Sequence, residues 1–332
     1  MSSFWDRLTK PFFVLAPMAD VTDAAFRRII AKYSRHLRAN GTEGAPDVFW
    51  TEFVSADGLA STGRTALLRD LAYSEEERPI VAQIFGSKPE NIEKAAALAR
   101  ELGFDGVDIN MGCPDRSVEK QGAGAAMMKD HALALAVIAA AKQGAGNLPV
   151  SVKTRLGFNR DELEEWLPKL LSSGLAAVTV HARTRKDMSK VPARWERVKR
   201  AVEIRDALGV PTYILGNGDA KDLADARAKI AATGADGVML GRAIFGNPWL
   251  FHPEIDPVAM PLAERFRVMV EHTKLFRDIL GDIKSFAIMK KHYKAYVEGF
   301  PGAKELRMEL MEAETPEEIE AITLAFLAAR EK

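Results

Sequence analysis

The sequence predicts an α/β fold, a (β/α)8 TIM barrel followed by a small C-terminal all-helical domain. Three observations predict it. Eight short apolar stretches alternate with helical segments over about 250 residues, the count and size of such a barrel. Polar side chains collect at the C-terminal ends of those stretches, where a barrel keeps its site. After Asn247-Pro-Trp-Leu-Phe251 the alternation stops and only helical patterns remain. A doubly wound open sheet is the alternative. It would put Gly-x-Gly-x-x-Gly after the first strand, where this chain reads Ala16-Pro-Met-Ala-Asp20.

The first strand, Phe12-Phe-Val-Leu-Ala-Pro-Met18, is apolar and ends at a proline. Thr22 or Asp23 caps a helix over 24–33 with Phe26, Ile29 and Ile30 on one face. A polar loop at 38–46 precedes a strand at 47–53 and a short helix at 55–62. The strand at 79–85 leads into a helix at 89–102, with Pro89 in its first turn and Gly103 just past its end. The strand at 106–109 runs into Asn110-Met-Gly-Cys-Pro114, and a helix follows at 130–143. A strand at 149–155 is paired with a helix at 161–173, whose Leu163, Trp166, Leu167 and Leu170 face inward. Strands at 176–181, 211–216 and 237–241 complete the eight, with helices at 195–208 and 220–233 between them. Helices at 261–280, 283–298, 303–312 and 316–329 make the tail. The prolines Pro257 and Pro261 mark the boundary, giving domains 1–256 and 257–332.

At 332 residues the chain can bury a large core, and 47% apolar and 28% charged residues are ordinary for a globular protein. No apolar run reaches the roughly 18–20 residues of a membrane span. Residues 1–10 lack the apolar core of a secretory signal, so a cytoplasmic location is expected. The single cysteine excludes an internal disulfide and a thiolate-built zinc or iron–sulfur site. Forty-six basic residues balance forty-six acidic ones. That counts against a non-specific nucleic-acid coat, while leaving room for a local basic patch.

Strand-end polar residues are the candidate site: Met18, Gln83, Asn110, Cys113, Lys153, Arg155, His181, Asn217 and Arg242. They include no carboxylate cluster, so a divalent-metal hydrolase is not expected. The turns Gly216-Asn-Gly-Asp219 and Gly241-Arg242 follow the last two strands, where such barrels hold phosphate. Lys153 lies on a strand that should be largely buried, so it pairs either with a neighbouring carboxylate or with an electron-rich ligand. His181 is either a hydrogen-bonded structural residue or part of an anion site with its neighbouring arginines. A random cysteine is most often an inert core thiol. Gly112 and Pro114 instead present Cys113 at a strand mouth, and a thiol with a pKa of about 8.5 is a proton donor at neutral pH.

These segments fall in one order along the chain. They are Ala16-Pro-Met-Ala-Asp-Val-Thr-Asp23, Val81-Ala-Gln-Ile-Phe-Gly86, Asp108-Ile-Asn-Met-Gly-Cys-Pro114, Val152-Lys-Thr-Arg-Leu-Gly157 and His181-Ala-Arg-Thr-Arg185. The two glycine turns, Phe245-Gly-Asn-Pro-Trp-Leu-Phe251 and Met289-Lys-Lys-His-Tyr-Lys-Ala-Tyr296 continue the series. The series resembles that of the dihydrouridine synthases, flavoenzymes that reduce uridine in folded RNA. The resemblance implies an oxidoreductase with tightly bound FMN and NADPH as its reductant. It implies that Pro17, Met18, Ala19, Gln83, Lys153, His181, Asn217, Gly218, Asp219, Gly241 and Arg242 hold FMN. It implies Cys113 as the proton donor to C5, opposite a hydride arriving at C6 from flavin N5. Asn110, Arg155 and Arg183 would touch the substrate, with Lys290 and Lys291 on the RNA. The implied partner is transfer RNA rather than ribosomal RNA, with no metal and no membrane, and a monomeric protein. The family pattern has glycine where this chain has Ala182. The loop 186–193 lacks the expected tyrosine and glycine, and the 38–46 loop is longer than expected.

The target base must leave its stack to lie on the flavin, which favours an unpaired RNA loop. Lys284, Lys290, Lys291, His292, Lys294, Lys304 and Arg307 form either an RNA surface or an ordinary solvated helix face. Two other functions remain open from the sequence. One is a dihydroorotate- or dihydropyrimidine-type dehydrogenase acting on a free pyrimidine, which needs no RNA platform. The other is an RNA-binding barrel without catalysis.

Overall fold

The computed structural model describes residues 3–37, 41 and 43–330. Residues 38–40 and 42 of the long polar loop lie outside the described residues. Its flanks, His36–Leu37 and Glu43–Gly44, pair antiparallel.

Eight parallel strands form the barrel: β1 (Phe12–Leu15), β2 (Phe49–Trp50), β3 (Ile80–Phe85), β4 (Gly106–Met111), β5 (Val150–Arg155), β6 (Ala177–His181), β7 (Tyr213–Asn217) and β8 (Gly237–Leu240). Each pairs with its neighbour in chain order from β2 to β8, and β8 pairs with β1. The ring closes between β1 and the residues entering β2, where Asp47 N–H donates to the Phe13 carbonyl at 2.8 Å. Apolar, β-branched strands buried on both faces suit a parallel sheet covered by helices.

The strand expected at 47–53 is split into Phe49–Trp50 and Val54–Ser55, both paired with β3. Thr51 explains the break. Its hydroxyl, not a backbone carbonyl, accepts the Gln83 N–H at 3.0 Å. The ladder is interrupted there. The Arg64–Asp70 helix was not legible, because none of its residues is buried and it shows no inward stripe. At the base of the barrel Phe4 and Trp5 pack with Phe12, Trp50 and Leu215.

Helices α2 (Pro89–Glu101), α3 (His131–Ala145), α4 (Leu163–Leu171), α5 (Trp195–Leu208) and α6 (Leu223–Thr233) alternate with strands β3 to β8. The expected inward stripe of α4 is buried, Leu163, Trp166, Leu167 and Leu170 all being 1% exposed or less.

Contacts divide the chain into a unit of Met1–Val21 with Pro46–Gly241, and a unit of Thr22–Ala45 with Arg242–Lys332. Helix α1 (Ala24–Tyr33) and residues 242–256 therefore group with the C-terminal helices, not with the barrel as the expected 256/257 boundary has it. The reason is packing. Ala25 and Ile29 of that helix share one core with Trp249, Phe266, Met269, Phe276 and Tyr293. Asp23 caps it, accepting from Phe26 N–H at 2.9 Å. The remaining helices of this unit are α7 (Leu262–Leu280), α8 (Met289–Tyr296), α9 (Ala303–Glu312) and α10 (Pro316–Arg330).

Candidate active site

Register sets the site. Cα pairing puts Gln83 opposite Asp108, Asn110 opposite Lys153, Arg155 opposite His181 and His181 opposite Asn217. Side chains two apart on a strand share a face, so Asp108 lies one layer beneath Asn110, and Ser151 and Lys153 beneath Arg155.

The deepest polar layer is fully buried. Gln83 Nε2 donates to Asp108 Oδ2 at 2.6 Å, and Ser151 Oγ donates to Asp108 Oδ1 at 2.5 Å. Burial pushes the Asp108 carboxyl up to about 6, against the pull of the Ser151 and Gln83 bonds and the Lys153 ammonium. Above it, Asn110 Nδ2 donates to Gln83 Oε1 at 3.1 Å. Lys153 reaches Asn217 Oδ1 at 3.3 Å. Burial, and then the Arg155 charge, lower its ammonium to about 8.

The loop after β4 is held from two sides. Asn110 Oδ1 accepts from the N–H groups of Gly112 and Cys113 at 3.1 and 2.9 Å. Arg155, 7% exposed, donates to three carbonyls: Gly112 at 2.8 Å, Thr184 at 3.1 Å and Met188 at 3.1 Å. Cys113 is half-buried beside Phe53, Phe85, Val118 and Ala123, and burial pushes its thiol above the ordinary value. The group is thus a thiol at neutral pH. The bond from Ala125 N–H to the Cys113 carbonyl, 2.9 Å, ties the loop to the segment after it.

A second cluster surrounds the ends of β6 and β7. Arg183, 2% exposed, pairs with Asp219 at 2.5 Å and donates to the Val191 carbonyl at 2.6 Å. Its Nη1 lies 3.2 Å from His181 Nε2. Asp219 has φ 52°, a left-handed conformation tolerated by Asp, and its carboxylate also takes the Ala193 N–H at 2.9 Å. Gly218 has φ +124°, and a Cβ there would come within 2.9 Å of Ala193 Cβ and 3.2 Å of His181 Cδ2. The position requires glycine. At Gly241 a Cβ would meet only Ala16 Cβ at 3.6 Å and Met18 Sδ at 3.7 Å, which leaves the backbone approachable. Pro17 and Met18 are half-buried and Ala19 is exposed.

Hydrogen bonds join Gln83 to Asn110 and Lys153 to Asn217, register sets Asn110 beside Lys153, and the Cys113 loop is attached through Asn110 and, at Gly112, through Arg155. His181, Arg183 and Asp219 form their own linked set. Arg242, Lys290 and Lys291 belong to the other unit. There Lys290 Nζ donates to the Met311 carbonyl at 2.5 Å, so its charge caps the end of α9. His292, expected on a basic surface, is 1% exposed, with its ring 5.1 Å from Phe26 and 4.7 Å from His272. Lys294, Lys304 and Arg307 line a groove of about 530 Å³ together with Glu309 and Glu312.

Asp108 and Ser151 escaped the strand-end filter because they lie mid-strand. The signal was present: an aspartate two residues before Asn110 on an otherwise apolar strand must share its face. Glu52 also escaped. It is 5% exposed and accepts the Asp20 N–H at 2.5 Å, fixing the turn after β1. Among the described residues no three His, Cys, Asp or Glu side chains converge as metal ligands, and no helix is long and apolar enough to cross a membrane.

A family model described as dihydrouridine synthase (Dus) matches residues 14–331. The chain belongs to that family. A probable tRNA-dihydrouridine synthase 2 of Bacillus subtilis (strain 168) is 38% identical over 327 residues, covering 96% of this chain and 95% of that protein. A probable tRNA-dihydrouridine synthase of Staphylococcus aureus (strain MRSA252) is 38% identical over 329 residues, 98% of this chain and 96% of that protein. Among solved structures, histamine dehydrogenase from Rhizobium sp. 4-9 gives a TM-score of 0.50 at 12% identity, over 80% of this chain and 49% of that one. Morphinone reductase in complex with tetrahydroNAD gives 0.48 at 15% identity, over 73% and 86%. At such identities the likeness concerns the fold alone. In this chain Asn110-Met-Gly-Cys-Pro114 is the loop described above, and Cys113 is the chain's single cysteine.

Proposed function

We propose that the chain reduces the C5=C6 bond of a uridine in transfer RNA to 5,6-dihydrouridine, with FMN as cofactor and NADPH as electron source. The observation that carries this reading is the half-buried thiol of Cys113 on a loop clamped by Asn110 and Arg155, one strand from the Lys153 ammonium. The relatives' names supply transfer RNA as the substrate class.

The donor set fits a flavin mononucleotide. Lys153 is a half-buried cation lowered to about 8 by burial and then by the Arg155 charge, and an electron-rich ring beside it would oppose both. Gln83 and Asn217 add neutral amides around it. The open backbone at Gly241 fits a phosphate, with Gly218 and Asp219 on the adjoining turn. Pro17, Met18, Ala19, Gln83, Lys153, His181, Asn217, Gly218, Asp219 and Gly241, with the next residue Arg242, would hold the cofactor. When bound, FMN supplies the hydride that uracil accepts at C6.

The chain's own part is alignment and proton supply. Cys113 Sγ–H gives its proton to C5 as the C4 carbonyl regains its double bond, and burial keeps that proton in place until then. Asn110 and Arg155 fix the loop and present their remaining N–H groups to the base. Arg183 holds the turn after β7 through Asp219, and would touch the substrate with its charge already paired there. On the helical unit Lys291 would meet RNA phosphate directly, and Lys290 would contribute chiefly by capping α9.

Two measurements test the reading on purified protein. The first is release of flavin into solution after acid precipitation, or uptake of added FMN. The second is NADPH-dependent reduction of an unmodified tRNA transcript beside free uridine monophosphate. A protein that takes up no FMN sinks the cofactor assignment. Equal turnover on the free nucleotide sinks the RNA assignment and favours a free-pyrimidine reductase.

A further inference from the structure

We propose that Asp108 is a positioning residue for the Cys113 loop, acting through the side-chain amides of Gln83 and Asn110. Its bearing on catalysis rests on the reduction proposed above; its effect on the thiol does not.

The argument is one of direction. A side-chain amide can sit either way round, and its hydrogen-bond partners decide which. Here the bonds run one way. Gly112 and Cys113 N–H donate to Asn110 Oδ1 at 3.1 and 2.9 Å. Asn110 Nδ2 donates to Gln83 Oε1 at 3.1 Å, and Gln83 Nε2 donates to Asp108 Oδ2 at 2.6 Å. Both ends of this relay are fixed. A backbone N–H only donates, and an ionised carboxylate only accepts. Turning over either amide would set donor against donor and acceptor against acceptor.

Asp108 is suited to be the accepting end. It is 1% exposed, and Ser151 Oγ at 2.5 Å occupies its other oxygen. Burial raises its carboxyl, but Ser151, Gln83 and the Lys153 ammonium counteract that, and at about 6 the group is a carboxylate at neutral pH. Bonds to an ionised acceptor are about twice as strong as neutral ones. An asparagine in its place could offer either oxygen or nitrogen to Gln83, and the preference handed up to the loop would vanish. The ordinary alternative is a buried aspartate that merely fills the barrel. It predicts a general loss of stability with no specific link to Asn110.

Because Cys113 is the single cysteine, its alkylation by iodoacetamide reads the loop directly. The rate is measured on the full chain at fixed pH, with and without saturating FMN, well below the unfolding temperature. Asp108→Asn should raise it about 3–10-fold, the scale of one lost hydrogen bond. Asn110→Ala should raise it similarly, and the double variant should be no faster than Asn110→Ala alone. An unchanged rate in Asp108→Asn, or effects that multiply in the double variant, would overturn the proposal. Should Asp108→Asn fail to fold, Gln83→Leu cuts the relay and keeps the carboxylate. It should show the same rise, and an unchanged rate there overturns the proposal equally. Failure of the reduction assay alone would leave these rates as they are, so the two ideas fail separately.

Discussion

Cys113, Lys153 and Arg155 carry different kinds of prediction. Cys113→Ala should keep its flavin and its fold, since the thiol is half-buried and spends only weak contacts. It should lose about 10²–10⁴-fold in tRNA reduction, the usual worth of a positioned acid, read in single turnover. Lys153 titrates near 8, so its charge is present below that pH and lost above it. Affinity for added FMN should therefore weaken as pH rises through that value, and Lys153→Met should flatten the profile. Arg155→Ala strands the carbonyls of Gly112, Thr184 and Met188 in a buried place. The expected cost is about 1–3 kcal/mol for each carbonyl left unsatisfied, reduced wherever water enters. Calorimetric unfolding checks it.

The strands show where an element's end matters more than its middle. At the foot of β8 the Asp236 carboxylate accepts from Lys10 Nζ at 2.5 Å, Arg205 Nη1 at 2.8 Å and Ile214 N–H at 2.8 Å, joining β7 and β8 to the chain before β1. Burial alone would raise this carboxyl, but those partners together hold it below the usual range. Its folded pKa thus lies under the unfolded value of about 3.9. The stabilisation is present above that pH and lost as pH falls through the folded pKa. Asp236→Asn should destabilise the barrel at neutral pH, and the gap to the parent protein should narrow as pH falls below the unfolded value of about 3.9 in urea titrations. In α8, Lys290→Ala should loosen the end of α9 as well as any RNA contact, because its ammonium sits on the Met311 carbonyl. Hydrogen exchange over 303–312 separates that loss from a change in binding.

The molecule as a whole divides into units with different acid sensitivity. His272 on α7 and His292 on α8 are buried with rings 4.7 Å apart, and neither ring nitrogen of His272 has a partner in the structure. Burial lowers His272 to about 3, and burial, then His272 and Lys291, lower His292 well below 6.5. The unfolded chain takes up these protons first. Stability of the helical unit is therefore full above about pH 6.5 and falls below it, by up to about 1.4 kcal/mol per pH unit for each histidine. His272→Phe should make that decline shallower in urea titrations between about pH 7 and pH 5. Neutral overall charge means that any RNA affinity must come from local groups. Alanine at Lys294 or Lys304, both exposed on the α8–α9 groove, should lower the salt slope of tRNA binding by about one each.

Strand and helix order was legible in the chain because apolar periodicity is local. The helices at 24–33, 195–208 and 303–312 were read to the residue, whereas the one expected at 283–298 is a short turn at Phe286–Ile288 followed by a helix only over Met289–Tyr296. The placing of polar residues at strand ends was legible for the same reason, since Asn110, Lys153 and Arg155 close apolar runs and Cys113 follows one. The family likeness was carried by motifs spread over nearly the whole chain. What could not be read there depends on partners distant in sequence. Thr51 breaks a strand because it meets Gln83, and Asp108 orders a loop because Gln83 lies beside it in register. His292 leaves the basic surface because Phe26 and His272 enclose it. Burial and hydrogen-bond direction belong to pairs of residues, and only folding brings those pairs within reach of each other.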